Sequence, residues 1–346
     1  MKAVSRNNSI RNIAIIAHVD HGKTTLVDHM FRQSGVFREN QEVAERVMDS
    51  MDLERERGIT IAAKNCSVSW HDTRINILDT PGHADFGGEV ERALVMVDGA
   101  ILLVDSSEGP LPQTRFVLKK ALEARKRIIV VVNKIDRKDA RPQEVLQQIY
   151  DLFIELDATD EQIDLPVLYA IGKQGVAMTT PEAEGKDLTP LFEAVINEIP
   201  GPAHDPAEPF QMLVSDLDYS EYVGRLAIGR VFHGRVHQND SLVCIGDDGQ
   251  PHSLRVSRIQ VYDGIGLRET DEVGPGDIAI LAGIEDVHIG DTICTAEQPK
   301  ALPRIAVDEP TIAMHFAINT SPFAGREGKY VQSARLRVRL IRETLS

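Results

Sequence analysis

The stretch that decides the fold is Ala17-His18-Val19-Asp20-His21-Gly22-Lys23-Thr24. It departs from the phosphate-loop pattern G-x-x-x-x-G-K-[ST] only at its first position, where alanine replaces glycine. An apolar run at 13–17 precedes it, and a helical pattern follows it. Backbone N–H groups of such a loop, at the N-terminus of a helix, bind phosphate. The stretch therefore predicts a strand, a phosphate-binding loop and a helix in succession.

Side-chain chemistry predicts a role for each part of this loop. Lys23 is expected to neutralise the β and γ phosphates, and the Thr24 hydroxyl is expected to ligate Mg²⁺. His18 and His21 are spaced like a pair of metal ligands, but a loop without a third ligand disfavours that alternative. The predicted phosphate-binding residues are Asp20, His21, Gly22, Lys23, Thr24 and Thr25.

Apolar runs alternate with helical patterns from residue 10 to about 200. The runs, which are nearly continuous in Ile, Val and Leu, cover residues 13–17, 75–78, 100–104, 128–132 and 166–170. The helical patterns cover residues 90–97, 114–124, 144–156 and 188–198. Continuous apolar runs are typical of strands buried on both faces, so we predict a mostly parallel sheet between helices. Residues 66–70 and 74–78 predict one antiparallel hairpin.

A second motif, Asp79-Thr80-Pro81-Gly82, follows the run at 75–78. An aspartate here can hold Mg²⁺ through a water molecule, and the Gly82 N–H can contact a γ-phosphate. Between the two motifs lies Arg57-Gly58-Ile59-Thr60. We expect Thr60 to complete the Mg²⁺ coordination when a γ-phosphate is present.

A third motif, Asn133-Lys134-Ile135-Asp136, follows the run at 128–132 and indicates which base is bound. The Asp136 carboxylate has two acceptor oxygens, and guanine offers two adjacent donors, whereas adenine offers an acceptor and no 2-amino group. A site built on such pairing rejects the wrong partner strongly, because buried groups are left unpaired. The Lys134 stem is expected to lie along the base and Asn133 to brace the loop. The sequence therefore favours a guanine nucleotide over an adenine nucleotide.

Composition limits the remaining function classes. The chain has 346 residues, enough for about two domains and part of a third. Lys and Arg total 38 against 53 Asp and Glu, a net charge of −15, which disfavours DNA binding by broad charge neutralisation. No apolar window predicts a membrane helix, and the N-terminus lacks the apolar core of a signal peptide. The three cysteines lie far apart and predict core thiols in a reducing compartment.

Two further regions follow the phosphate-loop domain. A proline-rich linker at 199–206 precedes short β-type runs at 210–214, 225–232, 241–245, 253–261 and 278–282, which predict a small β-barrel. Residues 311–318 predict a strand and residues 331–344 a basic helix, the start of an incomplete α+β domain. The predicted domains are 1–202, 203–306 and 307–346.

These motifs, in this order, resemble those of the GTPase superfamily. His83 directly after D-T-P-G, together with R-G-I-T at 57–60, is similar to the translational GTPases, and A-D-F-G-G-E-V-E-R at 84–92 is similar to their elongation-factor-G-like branch. Four stretches resemble the BipA/TypA group of ribosome-associated GTPases. They are R-V-M-D-S at 46–50, L-D-A-T-D-E-Q at 156–162, N-T-S-P-F at 319–323 and G-R-E-G-K at 325–329. The resemblance covers essentially the whole chain.

The resemblance implies an α/β fold. A P-loop GTPase domain with a mostly parallel sheet comes first, and a β-barrel and further domains follow it. It implies GTP and GDP with Mg²⁺ as ligands, hydrolysis of GTP, and the ribosome as partner through its RNA, with transfer RNA left open. It assigns His83 to orienting the attacking water, with Val19 and Ile59 shielding the site. A cytoplasmic monomer away from membranes is the corresponding expectation.

The chain departs from this group at the last guanine loop, where Ile171-Gly172 replaces the usual Ser-Ala. We expect the Gly172 N–H to meet guanine O6 nevertheless.

One alternative function is a nucleotide-gated binding module with little turnover, because the activating domains are absent. Another is a different translational GTPase, against which the 319–329 stretch argues. Two sets of arginines either face RNA or are simply solvated: Arg225, Arg230, Arg235, Arg255 and Arg258 in the barrel, and Arg335, Arg337, Arg339 and Arg342 in the last helix.

Overall fold

The computed structural model describes residues 4–35, 64–80, 87–220, 222–283, 286–305, 313–318 and 332–343. Four residues with a predicted role in the site, Ile59, Thr60, Gly82 and His83, lie outside the described residues. The described part of the chain forms a seven-stranded sheet, an eight-stranded sheet and two two-stranded ribbons.

The helices and strands of the first domain alternate along the chain. The helices are α1 (Lys23–Gln33), α2 (Gly87–Met96), α3 (Pro112–Glu123), α4 (Pro142–Glu155), α5 (Asp160–Ile163) and α6 (Thr189–Glu198). The strands are β1 (Ser5–Arg6), β2 (Ile10–Ala17), β3 (Lys64–Trp70), β4 (Thr73–Asp79), β5 (Gly99–Asp105), β6 (Arg127–Asn133), β7 (Val167–Ile171) and β8 (Val176–Met178). A short 3₁₀ turn, Gly172–Gln174, joins the last two strands. Each predicted helix and strand of this region is confirmed, with small shifts at the ends.

The first sheet has the strand order β3-β4-β2-β5-β6-β7-β8. Its five inner strands are parallel, whereas β3 and β8 pair antiparallel at the two edges. The predictions of a mostly parallel sheet and of the antiparallel hairpin β3–β4 are therefore confirmed, whereas the second antiparallel edge strand, β8, was not predicted. The hairpin turns at His71, whose φ is 50°.

Two hydrophobic layers cover this sheet and explain its continuous apolar runs. Along β2, Ala14 and Ile16 point into the layer formed with α2, α3 and α4, while Ile13 and Ile15 point into the layer formed with α1 and α6. Both β5 and β6 alternate in the same way. Because both faces are buried, few polar side chains lie within the strands, and those that do are paired, as Asn76 of β4 is with Asn12 of β2. The polar residues of the motifs follow the strand ends.

The second domain is an antiparallel sheet wrapped around its own core. Its strands are β9 (Ala203–His204), β10 (Gln211–Ser220), β11 (Gly224–His233), β12 (Val236–His237), β13 (Ser241–Ile245), β14 (Pro251–Arg255), β15 (Arg258–Asp263), β16 (Gly266–Glu269), β17 (Glu272–Val273), β18 (Ile278–Ala282) and β19 (Thr292–Thr295). The main sheet has the order β14-β13-β19-β10-β11-β18-β15-β16. One core cluster collects side chains from strands near both ends of that order, so the sheet curls around it.

The prediction of one strand over residues 253–261 is wrong. The chain leaves the ladder at Val256 and Ser257, where the buried Val256 carbonyl accepts from the Asn239 N–H at 3.1 Å. The segment before this break pairs with β13, and the segment after it pairs with β18. The two halves alternate apolar and polar residues in opposite phase, so the consecutive polar residues Ser257 and Arg258 mark the break that the prediction of one strand passed over.

The prediction of a strand over residues 311–318 is also wrong for residues 313–318, the part of this segment that the structure describes. Residues 313–318 are exposed and carry no secondary structure. No strand pairs with them in the described part of the chain, so their backbone has no ladder to join. The predicted basic helix is confirmed as α7 (Ser333–Glu343). Among the described residues, no helix is long and apolar enough to cross a membrane.

The two domains share a continuous interface. One hydrophobic cluster of the first domain includes Leu226 and Ile228 of β11, while Ala227 of the same strand faces the second-domain core. At the edge of the first sheet, the Ser67 N–H of β3 donates to the Gly264 carbonyl at 2.9 Å, in the turn between β15 and β16. The second domain therefore covers both a face and an edge of the first.

A buried ion pair lies in this interface. Arg230, 5% exposed, donates to the Asp98 carboxylate at 2.7 Å and to the Met96 carbonyl at 3.1 Å. Asp98 directly precedes β5, so the pair ties the second domain to the base of the first sheet.

Replacing this arginine tests the interface. We expect Arg230→Ala to lower the free energy of unfolding by about 3 kcal/mol, because the Asp98 charge loses its buried partner. Arg235→Ala is the matched control, since it removes an exposed arginine that pairs with Glu272, and it should change stability little. Urea unfolding at neutral pH measures both, and equal losses for the two variants would contradict a stabilising role for the buried pair.

Candidate functional site

The predicted motifs meet at one edge of the first sheet. The parallel strands β2, β4, β5, β6 and β7 all have their carboxyl ends there, and each is followed by polar residues. In open α/β sheets, ligands bind at this edge, beside the strands where the chain order changes direction. The phosphate loop after β2 therefore lies between the loops that follow β4 and β5.

Gly22 allows the phosphate loop to turn into α1. Its φ is +96°, in the left-handed region, and it caps the helix that begins at Lys23. A Cβ added there would lie 2.6 Å from the Asn133 Nδ2 atom, too close for any other residue. Of the predicted phosphate-binding residues, Asp20 and Thr25 are exposed and Thr24 is partly exposed, so this loop faces solvent.

Lys23 joins the phosphate loop to the loop after β4. Its ammonium lies 2.8 Å from the Asp79 Oδ1 atom and donates to the Thr80 carbonyl. Asp79 is fully buried, and the Thr80 hydroxyl donates to the Ile15 carbonyl at 2.8 Å. The lysine and the aspartate predicted for phosphate and Mg²⁺ are thus held side by side.

The residues in place fit a magnesium ion. The Asp79 carboxylate and the Thr24 hydroxyl are hard oxygen donors, of the kind that Mg²⁺ prefers, and Mg²⁺ takes its remaining ligands from phosphate and water. Within the described ranges, no cluster of three His, Cys, Asp or Glu side chains could hold a metal ion. This argues against the alternative of a metal site at His18 and His21.

Asn133 connects the phosphate loop to the last guanine loop. Its Nδ2 donates to the His21 carbonyl at 2.8 Å, and its Oδ1 accepts from the Gly172 N–H at 2.9 Å. Asn133 therefore connects the two loops directly, which is the contact that a bracing residue would make. The Gly172 N–H, which we expected to be available for guanine O6, is bonded to Asn133, so O6 could reach it only as a second acceptor.

The loop that starts at Gly172 is also held from α1. The Gln33 amide donates to the Gly175 carbonyl at 2.7 Å, and His29 Nε2 lies 3.2 Å from the Lys173 carbonyl. These contacts hold the loop where the usual serine hydroxyl is replaced by Ile171, which is partly buried at the end of β7. Sequence reasoning missed both residues because α1 shows no motif at these positions.

Lys134 and Asp136 have contrasting surroundings. The Lys134 ammonium donates to the Asp20 carbonyl at 2.6 Å and lies 2.8 Å from the Asp105 carboxylate. Asp136 is exposed, and in the described part of the chain no hydrogen bond or ion pair engages its carboxylate. Its oxygens are therefore available to a ligand, as the guanine assignment requires.

Sequence reasoning also missed the loop after β5. Ser106 in this loop donates twice to the loop after β6. Its N–H donates to the Asn133 carbonyl at 2.8 Å, and its hydroxyl donates to the Lys134 carbonyl at 2.9 Å. The sequence did indicate this loop, because polar residues follow β5 directly and β5 lies between the strands that carry the two recognised motifs. The loop was missed because its residues match no named motif.

The His21 side chain is buried under the phosphate loop, next to the end of β5. Its ring is fully buried, with Nδ1 3.4 Å from the Leu103 carbonyl and Nε2 3.4 Å from the Glu108 carboxylate. Burial lowers the pKa of His21, more than the Leu103 carbonyl and the nearby carboxylates raise it. The ring is thus neutral at pH 7.

Comparisons with protein families agree with this geometry. The model of the elongation factor Tu GTP binding domain matches residues 8–201, more than half of the chain. The chain belongs to this family of GTP-binding proteins. The model of elongation factor G domain 2 matches residues 209–296. The two matches lie within the first two predicted domains, whose boundaries stay predictions.

Curated relatives place the chain beside the BipA and TypA proteins, as its motifs predicted. It is 53% identical to the large ribosomal subunit assembly factor BipA of Bacillus subtilis (strain 168), over 96% of this chain and 54% of that protein. It is 54% identical to the putative elongation factor TypA-like SVR3, chloroplastic, of Arabidopsis thaliana, over 99% of this chain and 51% of that protein. The chain thus spans about half the length of the curated relatives it matches.

Among solved structures, the chain is similar to a crystal structure of a Thermus thermophilus protein. The TM-score is 0.66 at 20% identity, over 88% of this chain and 57% of the other. At that identity the similarity shows the fold, which confirms the predicted succession of an α/β domain and a β-rich domain.

The burial of His21 predicts a dependence of stability on pH. Its folded pKa lies below the ordinary value of 6.5, so below that pH the unfolded chain binds a proton that the native chain does not. The stabilisation is complete above about pH 6.5 and falls as the pH drops. Urea unfolding from pH 7 to pH 5 should show a shallower decline for His21→Asn than for the unmodified chain.

The exposed His315 provides the control, because its ring is in solvent in the native chain. His315→Asn should leave the decline unchanged. A His21→Asn profile parallel to that of the unmodified chain would show that the native ring takes up a proton as readily as the unfolded one.

Proposed function

We propose that this chain binds GTP and GDP with Mg²⁺ and hydrolyses GTP to GDP and phosphate on the ribosome. The observation that carries the proposal is the Asn133 amide, which joins the His21 carbonyl of the phosphate loop to the Gly172 N–H of the last guanine loop. A phosphate site and a base site linked by one side chain fit a ligand that has both groups.

The residues at the phosphate end and the base end have separate roles in this proposal. The phosphate-loop amides and Lys23 would bind the phosphates and stabilise charge on the β–γ bridge, since phosphoryl transfer depends on positioning and charge. Thr24 and Asp79 would hold Mg²⁺, which when bound neutralises further phosphate charge. Asp136 would pair with the guanine N1–H and 2-amino groups, and Lys134 would line the base.

Three further roles come from the resemblance and concern residues outside the described part of the chain. Thr60 would complete the Mg²⁺ coordination, and the Gly82 N–H would contact the γ-phosphate. His83 would orient the attacking water. The pairing of Lys23 with the buried Asp79 supports these roles, because it joins the phosphate loop to the end of β4, the last described point before these residues.

The partner proposed is the ribosome, through its RNA. The printed names of the bacterial relatives describe large ribosomal subunit assembly, and one plant relative is chloroplastic. We extend ribosome association to this chain, with transfer RNA as a finer possibility, and infer a cytoplasmic monomer. The alternative is a binding module that exchanges nucleotides with little turnover.

The assignment of guanine predicts a change of base preference. Xanthine carries an oxygen where guanine carries its 2-amino group, so Asp136→Asn should weaken GDP binding at least tenfold and improve XDP binding. Titration with fluorescent nucleotides measures both affinities. Asp139→Asn, an exposed change three residues along, is the control, and an unaltered GDP-to-XDP ratio in Asp136→Asn would exclude base reading by this residue.

The proposed activity is tested by steady-state GTP hydrolysis with and without purified ribosomes. We expect stimulation by ribosomes that His83→Ala abolishes while GTP binding persists. Intact GTP binding without stimulation would favour the binding-module alternative. Failure to bind GTP would overturn the proposal itself.

A further inference from the structure

Asp105 is a buried acid that the proposed chemistry does not use. It ends β5, between β2 and β6, and its side chain is fully buried. Its Oδ1 accepts from the Ser107 N–H at 2.8 Å and from the Ser107 hydroxyl at 2.7 Å. Its Oδ2 lies 2.8 Å from the Lys134 ammonium and 3.4 Å from the Arg137 guanidinium. These partners all lie in the loops that follow β5 and β6.

Lys134 is fixed at both sides of its ammonium. Asp105 holds it from within the protein, and the Asp20 carbonyl accepts from it at 2.6 Å across the phosphate loop. Both Lys134 and Asp20 have a left-handed backbone, with φ of 61° and 65°. A four-carbon stem is flexible on its own, so its path depends on where the ammonium is anchored.

We propose that Asp105 is a positioning residue for the guanine nucleotide: it anchors the Lys134 ammonium beside the phosphate loop, so that the lysine stem forms a preformed wall for the base. The inference rests on the proposed function, because it assumes that this site binds a guanine nucleotide. Ordering the lysine before the ligand arrives reduces the entropy lost on binding.

The charge of Asp105 is central to this role. Burial alone would raise its pKa, but the hydrogen bonds from Lys134 and Ser107 outweigh burial and lower the pKa to about 2. Asp105 is therefore ionised throughout the neutral range. An asparagine could still accept from Ser107, but it would carry no charge to hold the lysine.

Asp105→Asn is the direct test, with dissociation of fluorescent GDP as the readout. We expect dissociation to be about tenfold faster or more, because a buried charge-assisted contact to Lys134 is lost, with association nearly unchanged. Asp139→Asn is the matched control, since Asp139 pairs with Arg137 at 2.9 Å but not with Lys134. Unchanged dissociation in a folded Asp105→Asn protein would overturn the inference.

Two readouts distinguish positioning through Lys134 from general damage to the fold. In a Lys134→Met background, Asp105→Asn should have little further effect, because the two residues act through one contact. The ratio of GDP to IDP affinity should also stay constant, since Asp136 and not Lys134 reads the 2-amino group. Additive effects, or a changed ratio, would show that Asp105 acts on the whole loop and would overturn the proposal.

Binding of GDP by the unmodified chain distinguishes failure of the proposed function from failure of the inference about Asp105. If it fails to bind GDP, the proposed function fails before Asp105 is tested. If it binds GDP and Asp105→Asn binds equally well, only the inference about Asp105 fails. Thermal unfolding of each variant confirms that the proteins compared are folded.

Discussion

The site depends on one buried amide, the side chain of Asn133. It is 1% exposed, and its nitrogen and oxygen bond to backbone groups of two loops that follow different strands. A buried polar group without a partner is unfavourable, so neither loop can move away without breaking a hydrogen bond inside the protein. The phosphate end and the base end of the site are therefore ordered together. Because the loops are already ordered, little conformational entropy of the loops is lost when a ligand that fits both ends binds.

Much of the first domain could be predicted because its residues obey strong local rules. Strands buried on both faces are largely apolar, and this made β5, β6 and residues 13–17 of β2 recognisable, although β2 also buries Arg11 and Asn12. The same rule moves polar chemistry to the strand ends, where Lys23 and Asn133 lie in known motifs. The spacing of those motifs predicted which loops meet, since the carboxyl ends of parallel strands share one edge.

The remaining features depend on contacts between residues distant in sequence. The break after Val256 arises because the chain changes pairing partner from β13 to β18. The alternation of apolar and polar residues shows only a shift of phase at Ser257-Arg258 and does not show the new partner. Asp105 gains its importance only when Lys134 folds against it. The use of the Gly172 N–H by Asn133 likewise depends on side-chain geometry across two strands. Arg230 was predicted to face either RNA or solvent, and this is wrong because the residue is buried against Asp98.

The contact between Ser67 and Gly264 has a consequence for synthesis of the chain. Strand β3 is an edge strand, and open edge strands can pair with other chains. The turn at Gly264 covers it, but that turn is made after the whole first domain has been synthesised. A nascent chain therefore passes through a stage in which the first domain has been synthesised while its sheet edge is open to self-association. The edge is covered only when the second domain has been completed. The order of synthesis therefore contributes a risk of aggregation.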